Sequence, residues 1–109
     1  MTKYHAIKTV YDGIMFDSRK EARRYAVLKL LERAGEISDL RTQVKYELIP
    51  KQPKPSGGYE RPLTYTADFV YKDRDGREII EDTKGVRTPQ YIDRRKLMLW
   101  RYGIEIREV

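Results

Sequence analysis

Two acidic side chains and a lysine stand in strand-like segments where apolar or β-branched residues are usual. Residues 64–71 carry Asp68, and residues 79–84 carry Asp82 with Lys84 two positions later. Side chains in a strand alternate between faces, so Asp82 and Lys84 share one face. Grouped carboxylates are the usual ligands of Mg²⁺, which binds phosphate oxygens and makes a bound water more acidic. The chemistry that this pattern favours is hydrolysis of a phosphodiester.

The turn between the two segments decides whether the carboxylates face each other. A three-residue loop at residues 74–76, closed by a glycine in the left-handed region, places Val70 opposite Ile80. The same register places Asp68 opposite Asp82, a like-charge pair that destabilises a sheet unless a cation lies between the two groups. A two-residue turn would move Asp68 to the other face. Two acidic metal ligands share a face in either register, but only the first register places Lys84 beside them.

Glu21 is the third candidate acid, in the first turn of a helix predicted from Ser18 to Ala34. It can reach the site as a metal ligand through water or as an orienting group, and the backbone carbonyl of Thr83 is a further candidate ligand. Purely structural interpretations of these residues stay open. Ser18 and Glu21 fit the capping-box pattern, which explains the glutamate by helix chemistry alone. The two aspartates also fit a solvated strand edge and a turn cap, and Lys84 fits a surface lysine.

The composition excludes several other kinds of site. The 109 residues suffice for one domain and include no cysteine and one histidine, His5, which we expect on the surface. Thiolate metal sites, disulfides and sites with two histidines are therefore excluded. No long apolar run, signal peptide or nucleotide-binding glycine loop is present, so we expect a soluble cytoplasmic protein without a membrane partner. The net charge of +6 favours a polyanionic partner, nucleic acid first.

Periodicity and breaker residues predict the remaining elements. We expect an N-terminal hairpin over residues 4–17, a strand over residues 43–49, an exposed basic loop over residues 50–62, and a last strand over residues 104–109. The order hairpin-α-β-β-β-α-β predicts a single α/β domain with a central mixed sheet flanked by two helices.

Residues 88–103 carry the signals of the second helix. Thr88 is the predicted N-cap, proline follows at the first helical position, and Gly103 ends the helix. We expect its apolar contacts from Ile92, Leu99 and Trp100.

An acidic centre that accepts a phosphate backbone needs cations around it. Such backbone contacts give affinity and salt dependence without sequence information. The candidate DNA-binding residues are Gln43, Lys51, Lys54, Arg61, Arg87, Arg94, Arg95 and Lys96. The alternatives are an ordinary strand glutamine and a solvated helix face.

Together these motifs resemble the PD-(D/E)XK, or restriction-endonuclease-like, nuclease superfamily over roughly residues 14–109. The core of that superfamily has a helix with a glutamate, then a hairpin with Asp on one strand and (D/E)-x-Lys on the next, then a helix and a strand. Glu21, Asp68 and the Asp82-Thr83-Lys84 triplet stand at these positions. The chain is more closely similar to a family of small phage and prophage proteins. The shared segments are residues 16–21, Gln43, 65–69, 81–85, 88–91 and 103–104. One departure is Asp82, where glutamate is commoner.

The resemblance implies a Mg²⁺-dependent DNA endonuclease in a restriction-endonuclease-like core, with Mn²⁺ as a substitute metal. Its catalytic residues would be Glu21, Asp68, Asp82 and Lys84, and its metal ligands would be Asp68, Asp82, the Thr83 carbonyl and Glu21. Related phage enzymes include Holliday-junction resolvases, so branched DNA is the expected substrate. Cutting two strands favours a homodimer, since each chain has one site. The alternatives are a nicking or double-strand nuclease, a non-catalytic DNA-binding module on the same fold, and an interaction protein.

Overall fold

The computed structural model of the protein describes residues 7–84 and 86–109. His5, the first three residues of the predicted hairpin and Gly85 lie outside the described residues. The elements are β1 (Thr9–Tyr11), β2 (Ile14–Phe16), α1 (Arg19–Arg33), β3 (Ser38–Ile49), β4 (Gln52–Pro53), β5 (Tyr59–Glu60), β6 (Leu63–Lys72), β7 (Glu78–Asp82), α2 (Pro89–Tyr102) and β8 (Arg107–Glu108).

A four-stranded mixed sheet in the order β3-β6-β7-β8 forms the centre of the described fold. β3, β6 and β7 pair antiparallel, and β8 pairs parallel with β7. Two apolar clusters cover its faces. One joins Tyr25 and Leu28 of α1 to Phe69 of β6, and the other joins Tyr91 and Met98 of α2 to the sheet. The predicted α/β class with a mixed sheet and two helices is confirmed.

Local capping signals define both helices as predicted. The Ser18 hydroxyl oxygen accepts a hydrogen bond from the backbone N–H of Glu21 at 3.1 Å, and Thr88 caps α2 in the same way at Tyr91. Gly103 ends α2 in the left-handed region with φ 66°, which costs a glycine little because it has no Cβ. No helix in the described residues is long and apolar enough to cross a membrane.

Several predicted boundaries are wrong. β3 begins at Ser38 rather than at residue 43, because the far end of β6 offers a pairing partner there. β8 is limited to Arg107–Glu108, and Ile106 before it is buried in the cluster on the α2 side. Residues 50–62 are exposed as predicted. They are not an irregular loop, however, because β4 and β5 pair within them around a glycine turn.

The apolar contacts predicted for α2 are also partly wrong. Tyr91 and Met98 lie seven residues apart on the buried face, and Ile92 packs partly against the same core. Trp100 lies two residues beyond Met98, about 200° around the helix. Its side chain is therefore 78% exposed, and Leu99 is 56% exposed.

Candidate active site

The site lies where β6 and β7 separate. Asp73 and Arg77 close the predicted three-residue loop, and Val70 pairs with Ile80, so the first of the two registers is the observed one. The last ladder pair is Phe69 with Glu81. The next residues on the two strands are Asp68 and Asp82, which places both carboxylates at the opening of the fork.

Asp68 is held by the residue that follows β7. Both the backbone N–H and the hydroxyl of Thr83 donate to Asp68 Oδ2, each at 2.8 Å. Both hydrogen bonds from Thr83 go to the same oxygen of the Asp68 carboxylate. Oδ1 therefore keeps the capacity to accept a ligand.

Asp82 is buried and contacts the predicted lysine. Its side chain accepts a hydrogen bond from the Tyr65 hydroxyl at 2.6 Å on Oδ2, while Lys84 Nζ lies 2.9 Å from Oδ1. Burial and the neighbouring Asp68 carboxylate raise the pKa of Asp82 to about 7. The Lys84 ammonium also lies 4.0 Å from the centre of the Tyr91 ring, a cation–π contact that orients it.

Glu21 completes the acidic group from α1. Only 4% of the residue is exposed, and Oε1 accepts a hydrogen bond from Gln43 Nε2 at 3.1 Å. Burial and the negative charges of Asp68 and Asp17 raise the pKa of Glu21 to about 7. In the described residues the Ser18 backbone is not the partner of this carboxylate. The capping box is therefore half formed, and the glutamate side chain belongs to the acidic group.

Gln43 adopts a backbone conformation that is uncommon for its residue type. Its φ is 53° inside β3, in the left-handed region that glycine favours. The pairs Thr42–Phe69 and Val44–Ala67 place it opposite Asp68. Strained positions of this kind cluster at functional sites. Gln43, a candidate DNA-binding residue in the sequence, contacts Glu21 of the acidic group through its side-chain amide.

The sheet changes its facing pattern at this same pair. In β6, Ala67 and Val70 both pack against the α2 side, whereas Phe69 packs against the α1 side. Regular alternation would place residues an odd number apart on opposite faces. The interruption falls at Asp68, beside Gln43. It lets Asp68 meet both Glu21, which comes from α1, and Asp82.

Several predicted DNA-binding cations are engaged within the protein. Arg87 and Arg95 both form ion pairs with Glu108, at 2.6 and 3.2 Å. Arg94 donates to the backbone carbonyl of Thr64 at 2.9 Å. These three side chains organise the α2 side of the sheet.

The other predicted cations lie on exposed surface. Lys51 stacks on the Tyr59 ring, with Nζ 4.3 Å from its centre. Lys54 and Arg61 are exposed on the β4–β5 segment, and Lys96 is exposed on α2. None of the four contacts the acidic group.

Sequence reasoning missed a buried ion pair directly behind the site. Arg24 donates two hydrogen bonds to Glu81, at 2.8 and 2.6 Å, and the Tyr71 hydroxyl donates a third. Glu81 is fully buried. Arg24 lies one helical turn after Glu21, and Glu81 directly precedes Asp82. The pair therefore joins α1, which carries Glu21, to β7, which carries Asp82. The three-residue spacing between Glu21 and Arg24 was the available signal.

The donor chemistry at the fork fits a hard divalent cation. Within residues 7–84 and 86–109, no group of three or more Asp, Glu, His or Cys side chains has the arrangement to hold a metal ion as it stands. Burial first, and then the neighbouring carboxylates, raise the pKa values of Glu21 and Asp82, and a bound cation would favour their ionised forms. Carboxylate oxygens are the ligands that Mg²⁺ and Mn²⁺ prefer. Lys84 supplies positive charge to Asp82 and would compete with a bound cation there.

These features define a mixed α/β protein with a site of three acids and one lysine at the fork of two antiparallel strands. A family model described as "Protein of unknown function (DUF1064)" matches residues 1–108, and the chain belongs to this family. No curated protein and no solved structure matches the chain.

Proposed function

We propose that this protein is a metal-dependent endonuclease that hydrolyses phosphodiester bonds in DNA. One observation carries the proposal: three separate segments, with Glu21 on α1, Asp68 on β6, and Asp82 and Lys84 at the end of β7, converge on one fork in the sheet. Lys84 Nζ lies 2.9 Å from Asp82, and Glu21 and Asp82 both have a pKa raised to about 7. Perturbed acids grouped with a lysine are typical of catalytic sites.

In the proposed site, some side chains would bind the cation and others orient the acids. Asp68 and Asp82 would hold the cation, with the Thr83 carbonyl and Glu21 as further ligands. Gln43 orients Glu21 through its side-chain amide, and Tyr65 orients Asp82 through its hydroxyl. Lys84 can orient an attacking water or stabilise the charge that develops on the phosphate, as a point charge on a flexible stem.

Mg²⁺, with Mn²⁺ as a substitute, would supply Lewis-acid charge to the phosphate oxygens and make water more acidic. Without a cation, Lys84 is the positive charge in direct contact with Asp82 among the described residues. If a cation replaced Lys84 as the partner of Asp82, the Lys84 ammonium would be free to contact the substrate. The excess of acids at the fork therefore suits a cation-loaded working state.

The order of elements supports a restriction-endonuclease-like core. Branched DNA, such as a Holliday junction, is the substrate that we propose first, with cutting in the cytoplasm of a bacterial host by a phage or prophage protein. Two strands must be cut at a junction and each chain carries one such site, so we propose a homodimer. Sedimentation of the protein alone and with a junction measures that stoichiometry directly.

The first test is cleavage of a labelled four-way junction and a matched linear duplex, in Mg²⁺ and in EDTA. Wild type is compared with Asp82→Asn, and with Asp75→Asn as a control for the same change in the exposed loop of the same hairpin. We expect metal-dependent cutting of the junction by wild type and by Asp75→Asn, and loss of cutting in Asp82→Asn.

The other outcomes separate the alternatives. Equal cutting of both substrates would replace the resolvase by a general nuclease. Binding without cutting, in Mg²⁺ and in Mn²⁺, would replace the enzyme by a non-catalytic DNA-binding module. Neither binding nor cutting would overturn the proposal as a whole.

A further inference from the structure

The outer face of α1 carries cations beside the acidic fork. Arg19, Lys20 and Arg23 are exposed in its first turns, and Glu21 stands between them on the buried face. Among the described residues, Arg19 and Arg23 form no ion pair. Their charge is therefore available to a ligand, unlike that of Arg24, which Glu81 neutralises.

A groove of about 220 Å³ runs along this face and reaches the site. The groove is lined on the α1 side by Lys20, Arg23, Arg24 and Val27, and on the sheet side by Thr83 and Val109. Thr83 is the residue that holds Asp68. A group bound in this groove would therefore lie next to the carboxylates.

Lys20 connects the groove to the catalytic lysine. Its Nζ donates one hydrogen bond to the backbone carbonyl of Lys84 at 2.9 Å. An ammonium has three donors, so two remain for a ligand. This hydrogen bond holds the Lys20 ammonium next to Lys84, whereas an unbonded lysine side chain would sample many positions on the surface.

Three of the α2-side arginines are engaged within the protein, and the exposed cations Lys51, Lys54, Arg61 and Lys96 do not contact the acidic group. Arg87 and Arg95 are paired with Glu108, and Arg94 is bonded to a backbone carbonyl. An acidic centre repels a phosphate backbone unless neighbouring cations offset the repulsion. In the described residues, Lys20 and Arg23 line a groove that also includes Thr83, and their charge is not engaged by an acid.

We propose that this groove, lined by Lys20, Arg23 and Thr83, binds a backbone phosphate of the DNA strand next to the phosphate that is cut. This inference rests on the proposed nuclease function and names the surface that positions its substrate. The apolar side chains of the groove suit the deoxyribose that follows the phosphate. Binding there aligns the strand across the fork without reading its sequence.

The test compares two variants that each lose two positive charges. Lys20→Gln/Arg23→Gln alters the groove. Arg33→Gln/Lys72→Gln is the control, because both of its positions are exposed, one at the last turn of α1 and one at the hairpin end of β6. Binding to a fluorescent duplex is measured by anisotropy over a range of salt in EDTA, so that cleavage does not contribute. Thermal unfolding checks that both variants are folded.

We expect the groove variant to bind about 10-fold more weakly at low salt. Its slope of log affinity against log salt should fall by about 0.9 for each lost phosphate contact. The control should stay within about 2-fold of wild type. Equal losses in both variants would overturn the groove, because they would reflect net charge alone.

A second arm identifies the source of the phosphate. Amide NMR shifts at Lys20 and Arg23 are followed during titration with a short oligonucleotide and, separately, with inorganic phosphate at the same concentration. Shifts with the oligonucleotide alone support the proposal. Equal shifts with inorganic phosphate would replace it by a site for the free anion.

The two proposals fail in different ways. Groove-dependent binding together with no cleavage in either metal would overturn the nuclease and leave the groove as a DNA contact. Cleavage together with equal binding losses in the groove and control variants would overturn the groove and leave the nuclease.

Discussion

Removal of the arginine behind the site should strongly destabilise the protein. The Arg24→Ala variant leaves the Glu81 carboxylate in a fully buried position with one remaining side-chain donor, the Tyr71 hydroxyl. Breaking a buried ion pair from one side costs about 3–5 kcal/mol, because the other charge stays buried without its partner. The Arg24 side chain is 27% exposed, so water can reach the vacated position and the low end, about 3 kcal/mol, is expected.

The same chain contains a matched control for this change. Arg74 pairs with Glu36 at 2.6 Å, the same distance as Arg24 to Glu81, but with 68% and 43% of the two side chains exposed. Exposed pairs contribute about 0–1 kcal/mol. Urea and thermal unfolding should therefore separate the variants. At about 4 °C per kcal/mol for a domain of this size, Arg24→Ala should lower Tm by about 12 °C and Arg74→Ala by less than about 4 °C.

A double variant tests the cause of the loss. Arg24→Ala/Glu81→Gln removes the negative charge that would otherwise stay buried without its partner, and it keeps an acceptor for the Tyr71 hydroxyl. The double variant should therefore be more stable than Arg24→Ala alone. Equal stability of the Arg24 and Arg74 variants would refute the reasoning, as would a double variant that is less stable than the single one. Either result would mean that the buried pair does not hold α1 against β7.

Three further predictions concern the site itself. Gln43→Gly relieves the left-handed backbone but gives the unfolded chain more entropy, so the free energy of unfolding should change by less than about 1 kcal/mol. Cleavage should fall, because Glu21 loses its side-chain donor. Asp39→Gly, at φ 57° in the same strand, makes the same backbone change and should keep cleavage, and equal activity of the two variants would contradict the role of the glutamine. In EDTA, the contribution of Asp82 to stability is complete below its ordinary pKa of 3.8 and is lost as the pH rises through about 7. Asp82→Asn should therefore gain stability over wild type between about pH 4 and pH 7 in urea unfolding, and a difference independent of pH would argue against the raised pKa. Lys84→Met should lower cleavage by about 100-fold yet keep the Mg²⁺-induced rise in Tm, and loss of that rise would assign the lysine to metal binding.

Local signals in the sequence predict the parts of the fold that depend on a few neighbouring residues. The turn at residues 74–76 determines the register of β6 and β7, because its glycine takes the left-handed position that the loop requires. The register then predicts Asp68 opposite Asp82. Capping by Ser18 and Thr88 follows from side-chain chemistry within one helical turn.

Contacts between distant segments could not be predicted in this way. Arg24 and Glu81 are 57 residues apart. In the sequence alone, each is compatible with an ordinary charged residue on the surface of its own element. Arg87 and Arg95 pair with Glu108, a contact that depends on where β8 joins the sheet. The exposure of Trp100 likewise follows from the phase at which α2 packs, since helical spacing alone allowed either face.

The geometry of the fork bears on whether the acids are structural. A carboxylate retained for stability should have a pKa below its ordinary value, as Glu108 has under the influence of Tyr91 and two arginines, with a pKa lowered to about 2. Glu21 and Asp82 have pKa values raised to about 7, so their ionised forms weaken the fold. Gln43 adds backbone strain at the same place. The buried Arg24–Glu81 pair holds the two supporting elements together despite these costs. Raised pKa values and backbone strain at one place fit the proposed cation-binding site better than a role of these acids in folding.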